Sequence, residues 1–200
     1  MAVESRFGIK GGVNIATLNN KDYPSSADFK SNTKTGFHGG FFVNVPMGSV
    51  IKFQPELLYS LQGAKSRINI ATPTGSVSSN YKTHLHYLNL PLMFQARPAS
   101  GGFYVELGPQ LSYLLSAKNK DISNVAGVTE RDIKSELKKF DVAACGGIGF
   151  VTRVGLGNDA RYNWGFLNVL DDNNPANIAG TKLRNRVLQI GLFYQFGAYE

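Results

Sequence analysis

Through most of this chain apolar residues return at every second position, in runs of about 10 to 15 residues. Between positions 51 and 62, Phe53, Pro55, Leu57, Tyr59 and Leu61 share one parity, and Lys52, Gln54, Glu56, Ser60 and Gln62 share the other. Between 102 and 117, Phe103, Val105, Leu107, Leu111, Tyr113 and Leu115 oppose Tyr104, Glu106, Gln110, Ser112 and Ser116. Near the end, Leu188, Ile190, Leu192, Tyr194 and Phe196 oppose Gln189, Gly191 and Gln195. A period of two is the mark of a strand with one oily and one polar face. The pattern predicts eight strands, over 6–16, 35–45, 51–62, 81–97, 102–117, 138–152, 157–169 and 183–197.

The connections alternate in length. Long polar links fall at 17–34, 63–80, 118–137 and 170–182, and short ones at 46–50, 98–101 and 153–155. In an up-and-down meander all long links lie at one end, the asymmetry of membrane barrels with short periplasmic turns and longer extracellular loops. The fold class expected is therefore all-β: a closed antiparallel up-and-down transmembrane β-barrel of about eight strands, with residues 1–200 as a single domain.

Alternation does not say which face is inside. A soluble carrier of the lipocalin type turns its oily face inward, whereas a barrel in lipid turns it outward and pairs its polar groups within. Composition favours the second arrangement. The chain holds 22 glycines, nine tyrosines and 13 phenylalanines, and Gly8, Gly12, Gly40, Gly108, Gly147 and Gly149 fall on the polar faces, as a narrow interior requires. No apolar run approaches the roughly 18 residues of a spanning helix. The opening Met1 to Arg6 has no hydrophobic signal region, which fits a mature chain after removal of an export signal and equally a natural cytosolic start.

With the polar face inside, Lys10, Lys52, Glu56, Arg97, Glu106, Asp141, Arg153 and Arg161 point into the barrel. Buried charges must find partners, so these residues are expected to form an ion-paired, hydrogen-bonded plug. Glu56 and Glu106 could in principle act as an acid/base pair, and His38 is the only histidine whose parity turns it inward. No Ser/His or Asp/His constellation accompanies them, and the expectation is a protein that is not an enzyme.

Four ordered motifs carry a resemblance to a known family. Phe7-Gly8-Ile9-Lys10-Gly11-Gly12-Val13-Asn14, Phe53-Gln54-Pro55-Glu56-Leu57-Leu58-Tyr59, Tyr87-Leu88-Asn89-Leu90-Pro91-Leu92 and Arg161-Tyr162-Asn163-Trp164-Gly165-Phe166 resemble strand motifs of the PorT-like porins of Bacteroidetes outer membranes. The resemblance covers nearly the whole chain. It implies an eight-stranded barrel in the outer membrane, in a family whose founding member is associated with protein secretion.

The net charge of +7 then acquires a place. On the outward parity toward the long links stand Lys65, Arg67, Lys82 with His84 and His86, Lys138, Arg184 and Arg186. These form a candidate collar for outer-leaflet lipid, including the phosphates of lipopolysaccharide. The long loops are the candidate surface for a protein partner, so that the chain would serve as anchor and binding, adhesion or assembly component; a passive small-solute channel is the alternative, and a soluble carrier the second.

Other chemistries fit less well. His84 and His86 share a strand face at a metal-compatible spacing without an evident third ligand. Gly146-Gly147-Ile148-Gly149 lacks the lysine of a phosphate loop and lies within a strand pattern. Basic residues gather at loop ends rather than along one strand face, which argues against nucleic acid. The lone Cys145 cannot form an internal disulfide, and no cofactor is expected.

Overall fold

The computed structural model describes residues 5–20, 28–72, 75–98, 101–121, 130–170 and 183–197. Eight long strands form a ring: β1 (Arg6–Asn20), β3 (Lys34–Pro46), β4 (Ile51–Thr72), β5 (Gly75–Ala96), β6 (Phe103–Asp121), β8 (Phe140–Val151), β9 (Leu156–Gly165) and β10 (Leu183–Gln195). Each is antiparallel to its neighbours, and the first and last pair along Gly8–Asn20 and Leu183–Gln195, which closes the barrel. Two short strands, β2 (Asp28–Asn32) and β7 (Glu130–Asp132), extend the sheet at the long-loop end by pairing with β4 and β6.

Closure leaves the barrel without a free edge, and in lipid it lets backbone amides and carbonyls pair between strands. Along the spanning stretch the outer face is predominantly apolar: Phe103, Leu107, Phe140 and Leu192 are each about two-thirds exposed or more, while Lys10, Glu56, Glu106 and Arg161 are buried. In water such a surface would be a severe aggregation liability; facing acyl chains it is the favoured solvent contact. The soluble-carrier alternative is therefore set aside.

Aromatic rings border the band. Toward the short turns Phe7 stacks with Phe41 and Phe196, and Phe53 meets Phe94 and Phe103 meets Phe150 at a tilt. Phe37 meets Tyr59, Tyr113 meets Phe140, and Tyr162 meets Trp164 toward the long loops. From Phe103 to Tyr113 on β6 is about eleven residues, close to the nine to eleven of a tilted spanning strand.

The sequence pattern misplaces several boundaries. Residues 63–80, expected as a loop, continue the β4–β5 ladder to Thr72 and Gly75. Above the lipid the outward face need not be apolar, so loss of alternation does not mark the end of pairing. β1 likewise runs on to Asn20, β8 starts at Phe140 rather than 138, and β9 stops at Gly165 rather than 169. Arg153 is exposed in a tight turn closed by Gly155 at φ 87°, a left-handed conformation that glycine takes without a Cβ clash. A register shift on β6 opposite His86 and Tyr87 sets His86 against Ser116 but Tyr87 against Leu114. The extra residue, Leu115, turns Ser116 to the outer face, against the parity count.

Candidate functional site

Midway through the barrel five ionisable side chains meet. Arg161 of β9 donates from Nη1 to Glu56 Oε2 at 2.8 Å and from Nη2 to Glu56 Oε1 at 3.0 Å. Its Nε donates to Glu106 Oε1 at 2.8 Å, and Nη2 reaches Asp159 Oδ2 at 3.3 Å. Lys10 of β1 donates to Asp159 and lies 3.4 Å from Glu56 Oε1. Glu56 and Glu106 are thus bridged by one guanidinium. All five side chains are almost wholly buried, and their mutual attraction is what offsets the cost of removing them from water.

Amides extend this cluster both ways. Toward the short turns, Gln54 donates to Glu56 at 2.8 Å, Gln95 donates to Glu106 at 3.1 Å, and Asn44 donates to both glutamines. Toward the long loops, Asn14 donates to Ser60 Oγ at 2.9 Å and accepts from Gln189 at 3.0 Å, and its Oδ1 meets His38 Nδ1 at 2.8 Å. His38 is accordingly inside, within a structural amide network.

Apolar layers lie at either end. On the short-turn side Phe42, Tyr104, Val151 and Phe193 form a buried cluster. Each of its three rings faces a glycine directly opposite on the adjoining strand: Phe42 pairs Gly8, Tyr104 pairs Gly149, and Phe193 pairs Gly157. A Cβ on those glycines would fall 2.1 to 2.3 Å from ring atoms, so the rings occupy the space that absent side chains leave. On the long-loop side Leu18, Leu85, Tyr87, Leu114, Ile133 and Leu137 pack together. Ile133 and Leu137 flank a single 3-10 turn, Lys134–Glu136, which brings them into the barrel mouth; the Ile133 amide donates to the Ala117 carbonyl at 3.0 Å.

Of the eight residues expected inside, Lys10, Glu56, Glu106 and Arg161 meet in the cluster. Lys52 is half-buried and Arg97 buried near the short turns, away from it. Asp141 is buried at the other end, where the Asn185 side-chain amide donates to it at 2.9 Å and the Val142 backbone N–H at 2.8 Å. Arg153 is outside, as noted. Asp159 was missed, although its parity with Arg161 two residues on carries the signal.

The expected collar is only partly a free surface. Lys65 is exposed and Lys82, Lys138 and Arg184 are half-buried; the Arg67 side chain lies outside the described residues. Arg186 is buried against the outer wall, its Nη1 donating to the Gly165 carbonyl at 2.8 Å and its guanidinium 4.8 Å from the Trp164 ring centre. No group of three His, Cys, Asp or Glu side chains in metal-holding geometry occurs among the described residues.

A closed eight-stranded barrel, oily outside and ion-paired within, defines a transmembrane protein of outer membranes. The chain belongs to the outer membrane protein beta-barrel domain family, whose model matches residues 3–171. Its fold is similar to the crystal structures of Neisserial surface protein A (TM-score 0.53, 11% identity, 95% of this chain and 97% of that one) and of OprG from Pseudomonas aeruginosa (TM-score 0.55, 10% identity, 98% of each). No curated protein sequence matches the chain. The protein is located in the outer membrane.

Proposed function

We propose that this protein is a sealed, non-enzymatic anchor whose barrel fixes an extracellular binding surface in the outer membrane. The observation that carries this reading is the filled interior: an ion cluster between two apolar layers, with Phe42, Tyr104 and Phe193 below and Leu85, Tyr87, Leu114, Ile133 and Leu137 above. An ion or small solute would have to displace a desolvated salt-bridge network and then cross two hydrophobic constrictions. Binding then falls to the long-loop end, where β4 and β5 pair up to Thr72 and Gly75 and carry the surface beyond the lipid. The resemblance of four motifs to strand motifs of PorT-like porins is compatible with an assembly role for that surface, beside adhesion.

Planar-bilayer recording tests the reading. The refolded barrel is expected to give no unitary conductance, with a porin as positive control. Reproducible steps from the folded form would sink the anchor and establish the passive channel.

A further inference from the structure

The outer wall carries a second feature that anchoring does not require. Just above the apolar band a recess of about 440 Å³ opens on β5, β6 and β7, lined by His84, His86, Ser116, Lys118, Lys120 and Glu130. That volume lies within the range of pockets that hold small ligands, about 300–1,000 Å³.

Three lysines run across the strands at its upper side. Lys65 of β4 is directly opposite Lys82 of β5, and Lys82 is directly opposite Lys120 of β6. Like charges facing one another across a sheet oppose pairing, and the one acidic residue in this row is Glu130 of β7, opposite Lys120. One row lower, His84 faces Lys118, and His86 faces Ser116. Among the described residues the only carboxylate lining the recess, Glu130, is taken by Lys118 at 2.9 Å. That contact holds the Glu130 carboxyl below its ordinary pKa, so it stays ionised. Lys82 and Lys120 have no hydrogen-bonded carboxylate partner among the described residues.

The bulge at Leu115 builds the site. Without that extra residue Ser116, Lys118 and Lys120 would turn into the barrel and Ala117 would turn out. Bulges commonly re-aim side chains in this way. Here the bulge brings one hydroxyl and two ammonium groups beside His84, His86 and Lys82.

Position selects the source of the ligand. Ascending the outer face of β5, Leu88 is exposed among apolar neighbours, His86 is bonded to the Tyr59 hydroxyl of the upper aromatic border, and His84 and Lys82 follow. Two residues along a strand are about 6.6 Å. The wall therefore changes from oily to cationic within the depth at which acyl chains give way to headgroups. The geometry points to a binding site for a phosphate group on the headgroup of an outer-leaflet lipid, with Lys82 and Lys120 as principal donors, Lys65, His84 and Ser116 beside them, and the acyl chains on the apolar wall below.

The test is a titration of the refolded barrel in neutral detergent with bisphosphorylated lipid A, with the same lipid after dephosphorylation, and with glucosamine phosphate, which has no acyl chains. The wild type is expected to bind the phosphorylated lipid at least about tenfold more tightly than the other two, the usual scale for a charge-assisted contact. The double variant K82Q/K120Q is expected to lose that margin. E130Q, which frees Lys118, is expected to keep or raise it, and K139Q, outside the recess, to leave it unchanged. Equal affinity for phosphorylated and dephosphorylated lipid, or a K82Q/K120Q variant that binds as the wild type does, overturns the site. Equal affinity for glucosamine phosphate overturns the lipid as its source. Heat-modified mobility establishes that each variant is folded; if K82Q/K120Q fails to fold, E130Q and the three ligands decide alone.

Discussion

Arg161 clamps Glu56 across the full diameter of the barrel. The two residues lie on β9 and β4, four strands apart in a ring of eight, and are joined by two hydrogen bonds of 2.8 and 3.0 Å. A two-point guanidinium–carboxylate contact fixes both distance and orientation, so opposite walls are tied at a set separation. Lys10 and Glu106 brace the same tie from β1 and β6.

Removing the guanidinium leaves Glu56, Glu106 and Asp159 facing Lys10 alone. Arg161→Met is expected to lower stability by about 3–5 kcal/mol, the usual cost of stranding buried charge. The double variant R161M/E56M, which removes both partners of the clamp, is expected to recover much of it. Urea midpoints of the folded band in detergent decide: an unchanged midpoint for R161M would show that the clamp is not a stabilising tie.

The ring-over-glycine layer predicts a steric penalty. Gly8→Ala would put a methyl 2.1 Å from the Phe42 ring and is expected to cost about 1–3 kcal/mol. The second change F42L, in the G8A background, should relieve it. Gly101→Ala, with open space around its Cβ, is the control and should shift the same midpoint little.

Trp164 is the only tryptophan, on the outer face near the long loops and stacked on Arg186. Lipids brominated near the headgroup are expected to quench its fluorescence more than lipids brominated deep in the acyl chain. Stronger quenching from the deep position would mean that the upper aromatic border has been placed at the wrong depth.

Cys145 is fully buried and faces the interior. A maleimide reagent is expected to leave it unmodified in the folded barrel and to label it after boiling. Rapid labelling of the unboiled form would indicate a wet, accessible lumen, contrary to a sealed interior.

Much of the architecture is legible in the sequence because lipid enforces a strict rule: on the spanning stretches one face must be oily, and parity reports it. Hence Phe53 through Leu61 and Phe103 through Leu115 reveal strands, and Lys10, Glu56, Glu106 and Arg161 are readable as members of one polar face. Where lipid ends the rule lapses, and residues 63–80 read as loop although 63–72 and 75–80 pair through their backbones.

Of the outer recess, His84 and His86 were legible as outward residues and Lys118 and Lys120 read as loop, whereas Ser116 was hidden for a different reason. A single inserted residue at Leu115 reverses parity for the rest of β6, and counting along one strand cannot detect it; only the register against β5 does. Arg153 failed for the same kind of reason, since parity has no meaning in a turn.

By itself, then, the sequence determined a meander of about eight amphipathic strands with long links at one end, because a period of two is set by the pleat of each strand alone. Tertiary structure decided which face was inside, that Asp159 completes the ion cluster, that Phe42, Tyr104 and Phe193 fill the space over three glycines, and that Lys65, Lys82 and Lys120 stand in one row. Each of these depends on contact between strands distant in sequence, and that contact is fixed by register and barrel closure.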